Sequence, residues 1–147
     1  MTLNPRGTLT RSALAIVAGV ATLTAASFAL EGVVDFALMR LFPEAFPTVA
    51  AIDRNWPARL FMYGYGCLSV AAGGFVTAWV ARRAPIVHAA LLGVAQALLT
   101  IWAAIAMPEH ASLGTWVTTV LMTLPAATVG GWLFVGAVAR AGGPVRG

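Results

Sequence analysis

The chain has 147 residues, 60% hydrophobic and 10% charged; nine arginines, no lysine and five acids give a formal charge of +4. A water-soluble domain carries about 25% charged residues, so a surface wetted on all sides is excluded and a membrane protein is indicated. The basic balance does not point to nucleic acid, because the arginines flank apolar runs instead of clustering with aromatics on a polar face, and the single cysteine, Cys67, excludes an intrachain disulfide.

The N-terminal tail carries Arg6 and Arg11 and leads into the first uncharged run, Ala13 to Leu30. A helix needs about 20 apolar residues to cross the hydrocarbon core. The first helix is expected over about 12–41, through Glu31 and Asp35, with Pro43 stopping it. A rival reading takes Arg6, Arg11 and Ser27-Phe28-Ala29 as a signal peptide. The apolar run exceeds the usual core of about 7–15 residues, which favours a retained span. Glu31 and Asp35 are four apart and share a helix face. With Glu109 and His110 they form a candidate outer-face site. Oxygen ligands would suit calcium or magnesium, and histidine a transition metal. The simpler reading is a solvated charge network with Arg40, Arg54 and Arg59.

The second helix is expected over 59–82. Its stretch "YGYGC" holds Gly64 and Gly66 without a lysine, which reads as packing and not as a phosphate loop. Cys67 reads as a small buried side chain. Arg82-Arg83 then makes a short turn, and Pro85 starts a third helix over 85–107. His88 reads as an interfacial side chain and His110 as a loop residue. They lie 22 residues apart, about 33 Å along a helix at 1.5 Å per residue, which excludes a bis-histidine haem within one chain. The fourth helix is expected over 112–140. Pro125 should kink it and leave the Leu121 carbonyl to Thr128 or to a neighbouring helix.

Arginine placement sets orientation. Arg6, Arg11, Arg82, Arg83, Arg140 and Arg146 sit in both tails and the second loop without an acid, whereas the first and third loops hold all five acids and three arginines. Both termini and the arginine turn are therefore expected in the cytoplasm. Trp56, Tyr63, Tyr65, Trp102 and Trp116 fall near the expected outer interface and Trp79 near the inner one, the depth that amphipathic rings favour. The expected fold is all-α: a polytopic four-helix bundle forming one membrane domain over 1–147.

"AAGGFVTAWVARRAP" and "TVGGWLFVGAVARAGGP" echo each other at an offset of 57 residues. Each has Gly-Gly, an aromatic, an arginine nine residues after the second glycine, and a proline. Two hairpins related by an axis along the membrane normal would give this pattern, and so would coincidence. Gly73, Gly74, Gly130 and Gly131 suit close helix approach, the main means of association where lipid removes the hydrophobic drive. Contact within the bundle is favoured over contact between copies. Thr22, Ser69, Gln96, Pro125 and Thr128 fall near the span midpoints. Gln96 reads as an interhelical hydrogen bonder or, more sharply, as one wall of a solute site. Charged residues and histidine are missing there, which argues against proton-coupled transport. Nucleophile–base pairs, CxxC, P-loop and HExxH motifs are absent from the sequence.

At "GGFVTAWVARRAPIVHAALLG" and "LPAATVGGWL" the chain resembles a broad group of small, uncharacterised bacterial inner-membrane proteins with four predicted helices. The likeness rests on Gly73, Gly74, Phe75, Ala78, Ala81, Arg83, Pro85, His88, Ala89, Gly93, Pro125, Gly130 and Gly131. It covers the second to fourth helices and implies location and helix number, but no activity. The sequence therefore suggests a non-enzymatic accessory or structural subunit without a cofactor, partnered by the lipid bilayer and by itself or a larger membrane complex. The alternative is a transporter or channel component for a small neutral or apolar solute. A metal- or redox-associated outer face comes third.

Overall fold

The computed structural model describes residues 5–142, with side chains from Leu9 onward except that of Asp53. Arg146 and the side chain of Arg6 lie outside that description. The described chain contains no strand. Its helices are α1 (Pro5–Leu41), α2 (Val49–Arg54), α3 (Trp56–Ala81), α4 (Pro85–Ala106) and α5 (Leu113–Arg140), with a 3-10 turn at Pro108–His110. Four of these, α1, α3, α4 and α5, are long and apolar enough to cross a membrane.

The helix ends follow local chemistry. α1 ends at Leu41, ahead of Pro43, but begins at Pro5, earlier than expected. α3 begins at Trp56, not at 59. Asn55 caps it by accepting a hydrogen bond from the Ala58 N–H at 3.1 Å, and Pro57 occupies its first turn. Ser112 caps α5, accepting from the Thr115 N–H at 3.2 Å. α5 continues as one helix through Pro125, whose side chain is exposed. The short helix α2 was not foreseen. It lies against α1 and α3 and carries Ile52, which is fully buried.

α3 is central. It packs closely on α1 and α5 and also touches α4, while α4 packs closely on α5 and lightly on α1, so α3 and α4 separate α1 from α5. The interior is made of small residues. Its buried side chains are mostly Ala15, Ala78, Ala81, Ala89, Ala127, Ser69, Thr77, Thr100 and Thr123, whereas Phe28, Phe36, Leu68, Trp102, Ile105, Leu113 and Leu121 are exposed. This reverses the soluble pattern, in which the largest apolar side chains fill the core. It is the arrangement expected of helices that gain stability from close backbone approach while their large side chains meet an apolar solvent.

Candidate functional site

The two glycine doublets lie at the centre of the packing. Successive residues on a helix point about 100° apart, so each doublet faces two neighbours. A Cβ placed on Gly73 would meet the Gly19 carbonyl oxygen of α1 at 2.8 Å and Leu23 Cβ at 2.9 Å; one on Gly74 would run into the Ala127 backbone of α5. On α5, Gly130 faces the Ala71 backbone of α3, and Gly131 faces Ala89 Cβ of α4 at 2.7 Å. Gly93 of α4 completes the set against the Leu124 Cα at 2.9 Å.

The α3–α5 contact is reciprocal. Gly74 sits over the carbonyl three residues before Gly130, and Gly130 sits over the carbonyl three residues before Gly74. In a parallel pair, Cα–Cβ bonds tilt toward the N-terminus and carbonyls point toward the C-terminus. Each glycine therefore meets the carbonyl of a slightly earlier residue on its neighbour. Gly74 and Gly130 are level, a register of 56 and not the 57 of the sequence echo.

The predicted midplane polar residues do not join into one network. Thr22 donates to the Ala18 carbonyl at 2.8 Å, Ser69 to that of Tyr65 at 3.0 Å, and Thr128 to that of Leu124 at 2.8 Å. Thr100, Thr119 and Thr123 repeat this bond to the residue four earlier. Each hydroxyl is thus satisfied within its own helix. Thr128 serves the Leu124 carbonyl and not that of Leu121, the acceptor that the sequence suggested. Gln96 is half-buried, and its side-chain amide makes no hydrogen bond to another described residue.

At the arginine end the turn is tight. Arg82 (φ 55°) and Ala84 (φ 45°) both adopt left-handed backbone, a conformation costing roughly 1–2 kcal/mol per non-glycine residue. The Arg83 N–H donates to the Ala81 carbonyl at 2.6 Å, closing a three-residue turn around Arg82. Two bonds that the sequence did not suggest tie α1 to this end. Arg11 Nε donates to the Val80 carbonyl at 3.0 Å, near the negative end of α3. His88 bridges Ala84 and Ser12. A carbonyl only accepts, so the contact of His88 Nδ1 with the Ala84 carbonyl at 3.1 Å places the proton on Nδ1. In the neutral ring, Nε2 then accepts from the Ser12 hydroxyl at 2.9 Å. Arg82, Arg83 and Arg140 are exposed.

The opposite end is looser. Asp35 is buried at 8% exposure and Glu31 is half-buried. Glu109 and His110 lie side by side on the last loop, 3.7 Å apart and mostly exposed. Among the described residues, no three of His, Cys, Asp and Glu stand close enough to hold a metal ion. Cys67 is half-exposed, not buried as expected, and its thiol lies 3.7 Å from Met122 Sδ. Trp116 is partly buried, and its Nε1 is shielded without a hydrogen-bond acceptor among the described residues. Beside this region, between the first turns of α3 and α5, is a cavity of about 300 Å³, open on one side. Trp56, Arg59 and Tyr63 line it from α3, and Ser112, Thr115 and Thr118 from the start of α5, with Leu60 and Gly114 between. No pattern in either segment announced the cavity, because its walls come from stretches some 50 residues apart.

Comparison of the chain with protein-family models, curated proteins and solved structures finds no match.

Proposed function

We propose that the chain is a non-enzymatic integral membrane protein of a bacterial inner membrane, acting as a structural or accessory subunit. Both termini would lie in the cytoplasm, a reading supported by the six acid-free arginines of the tails and second loop.

One observation carries the subunit reading and also changes its detail. Gly19, Gly73, Gly74, Gly93, Gly130 and Gly131 are already filled by neighbouring helices of the same chain, whereas a Cβ on Gly32, Gly64 or Gly66 would meet nothing within 4 Å. The four signature glycines are thus occupied in building the bundle, whereas a second backbone has room at Gly32, Gly64 and Gly66. The midplane hydroxyls are bonded within their own helices, which leaves only the Gln96 amide to support the transporter reading.

Crosslinking in native membranes, followed by mass spectrometry under native conditions, tests this. A discrete oligomer or a co-purifying protein, weakened by Gly64→Leu with the fold retained, is the expected result. A monomer without a protein partner in both assays would overturn the subunit reading.

A further inference from the structure

We propose that the cavity between α3 and α5 binds a phosphate group, that of a lipid headgroup, through Arg59. This rests on the membrane reading above, which puts the first turn of α3 at headgroup depth. Arg59 is half-buried and lines the cavity. Among the residues lining the cavity it is the one that carries a charge. A guanidinium drawn away from water is costly without a counter-charge. No acid lines the cavity to supply one, so the counter-charge is assigned to a ligand.

The other walls fit the same ligand. A guanidinium offers a planar fork of donors that matches two phosphate oxygens at once. Ser112 Oγ and Thr115 Oγ1 stand 3.0 Å apart on the facing wall, and Thr118 lies one turn deeper. Hydroxyls donate to an oxyanion and, unlike carboxylates, do not repel it. α3 and α5 both begin at this cavity and add the positive ends of their dipoles. Trp56 and Tyr63 frame the opening with rings that prefer the interface. A volume of about 300 Å³ is at the small end for ligand sites, which suits a headgroup phosphate better than a large polar molecule.

The test uses the full chain in detergent, with native mass spectrometry reading bound phosphatidylglycerol against phosphatidylcholine at equal concentration. Arg59→Gln is compared with Arg54→Gln, which removes the same charge from an exposed arginine of α2. The expected result is that Arg59→Gln lowers phosphatidylglycerol binding about tenfold or more, the loss of a charge-assisted pair, while Arg54→Gln changes it less than about twofold. Thr118→Val, which leaves every charge in place, should lower it by a smaller factor. Equal losses for Arg59→Gln and Arg54→Gln, with Thr118→Val like the wild type, would overturn the proposal.

Added inorganic phosphate separates the sources. Failure to displace the lipid at millimolar concentration supports the headgroup, whereas phosphate binding at Arg59 with no lipid adduct overturns the lipid assignment. Flotation with vesicles is scored separately. Loss of flotation defeats the membrane reading, whereas intact flotation with no Arg59 dependence defeats this proposal alone.

Discussion

Near the arginine turn, α3 meets its neighbours through Gly73, Gly74, Thr77 and Ala78; about four turns earlier, the same helix meets α5 across a cavity flanked by Trp56, Arg59 and Tyr63. The two regions share helices and an apolar surround. They differ in the size and polarity of the residues placed between backbones. Where glycine and alanine face each other, carbonyls touch Cα atoms and nothing else fits. Where arginine and rings face hydroxyls, the helices enclose space. The contrast gives one region close backbone packing and the other an open, polar-walled cavity.

The contrast breaks most readily at the doublets. Gly74→Leu and Gly130→Leu should each destabilise the bundle by about 3 kcal/mol, the upper range for an overpacked interior, because the obstacle is backbone and cannot rotate away. Gly64→Leu, in open space, should stay within about 0.5 kcal/mol. Unfolding titrations in mixed micelles measure both, and similar values would erase the distinction between filled and open glycines. A smaller effect of opposite sign is expected in the turn. Ala84→Gly removes left-handed strain at the cost of some chain entropy, so the same titration should show a gain of about 0.5–1 kcal/mol. Smallest is the tie between α1 and α4. A double-mutant cycle on Ser12→Ala and His88→Leu should give a coupling near 0.6 kcal/mol, the average for hydrogen bonds between membrane helices. The cycle on Cys67→Ala and Met122→Leu, near mid-span, should give less. The reverse order would mean that the arginine end is not the better-bonded one.

Most of the architecture was legible in the sequence, and most of the chemistry was not. Four uncharged runs of 18 residues or more, near or above the length that spans the hydrocarbon core, leave little choice of fold, and Pro43, Pro85 and the arginine pair mark helix limits. The starts of α1 and α3 were misread because charges at Arg11 and Arg59 were taken as helix limits. In fact Pro5 opens α1 and the Asn55 cap sets the start of α3. α2 has six residues, too few to show a period, although the buried Ile52 fixes it in place. The glycine doublets stood out, but their division between two neighbours each depends on helix rotation. Ser12 and His88 are 76 residues apart and meet only because α1 and α4 present them at the same height. The cavity has the same origin: it belongs to packing and to no segment of the chain.

The parallel α3–α5 contact has a consequence in time. Gly73 finds its partner in α1, already made, whereas Gly74 waits for Gly130, 56 positions later (130 − 74). At about 5–20 residues per second, one face of α3 is without its matching helix for roughly 3–11 s of every synthesis. The side of α3 that Gly74 presents is thus closed only once α5 has been made.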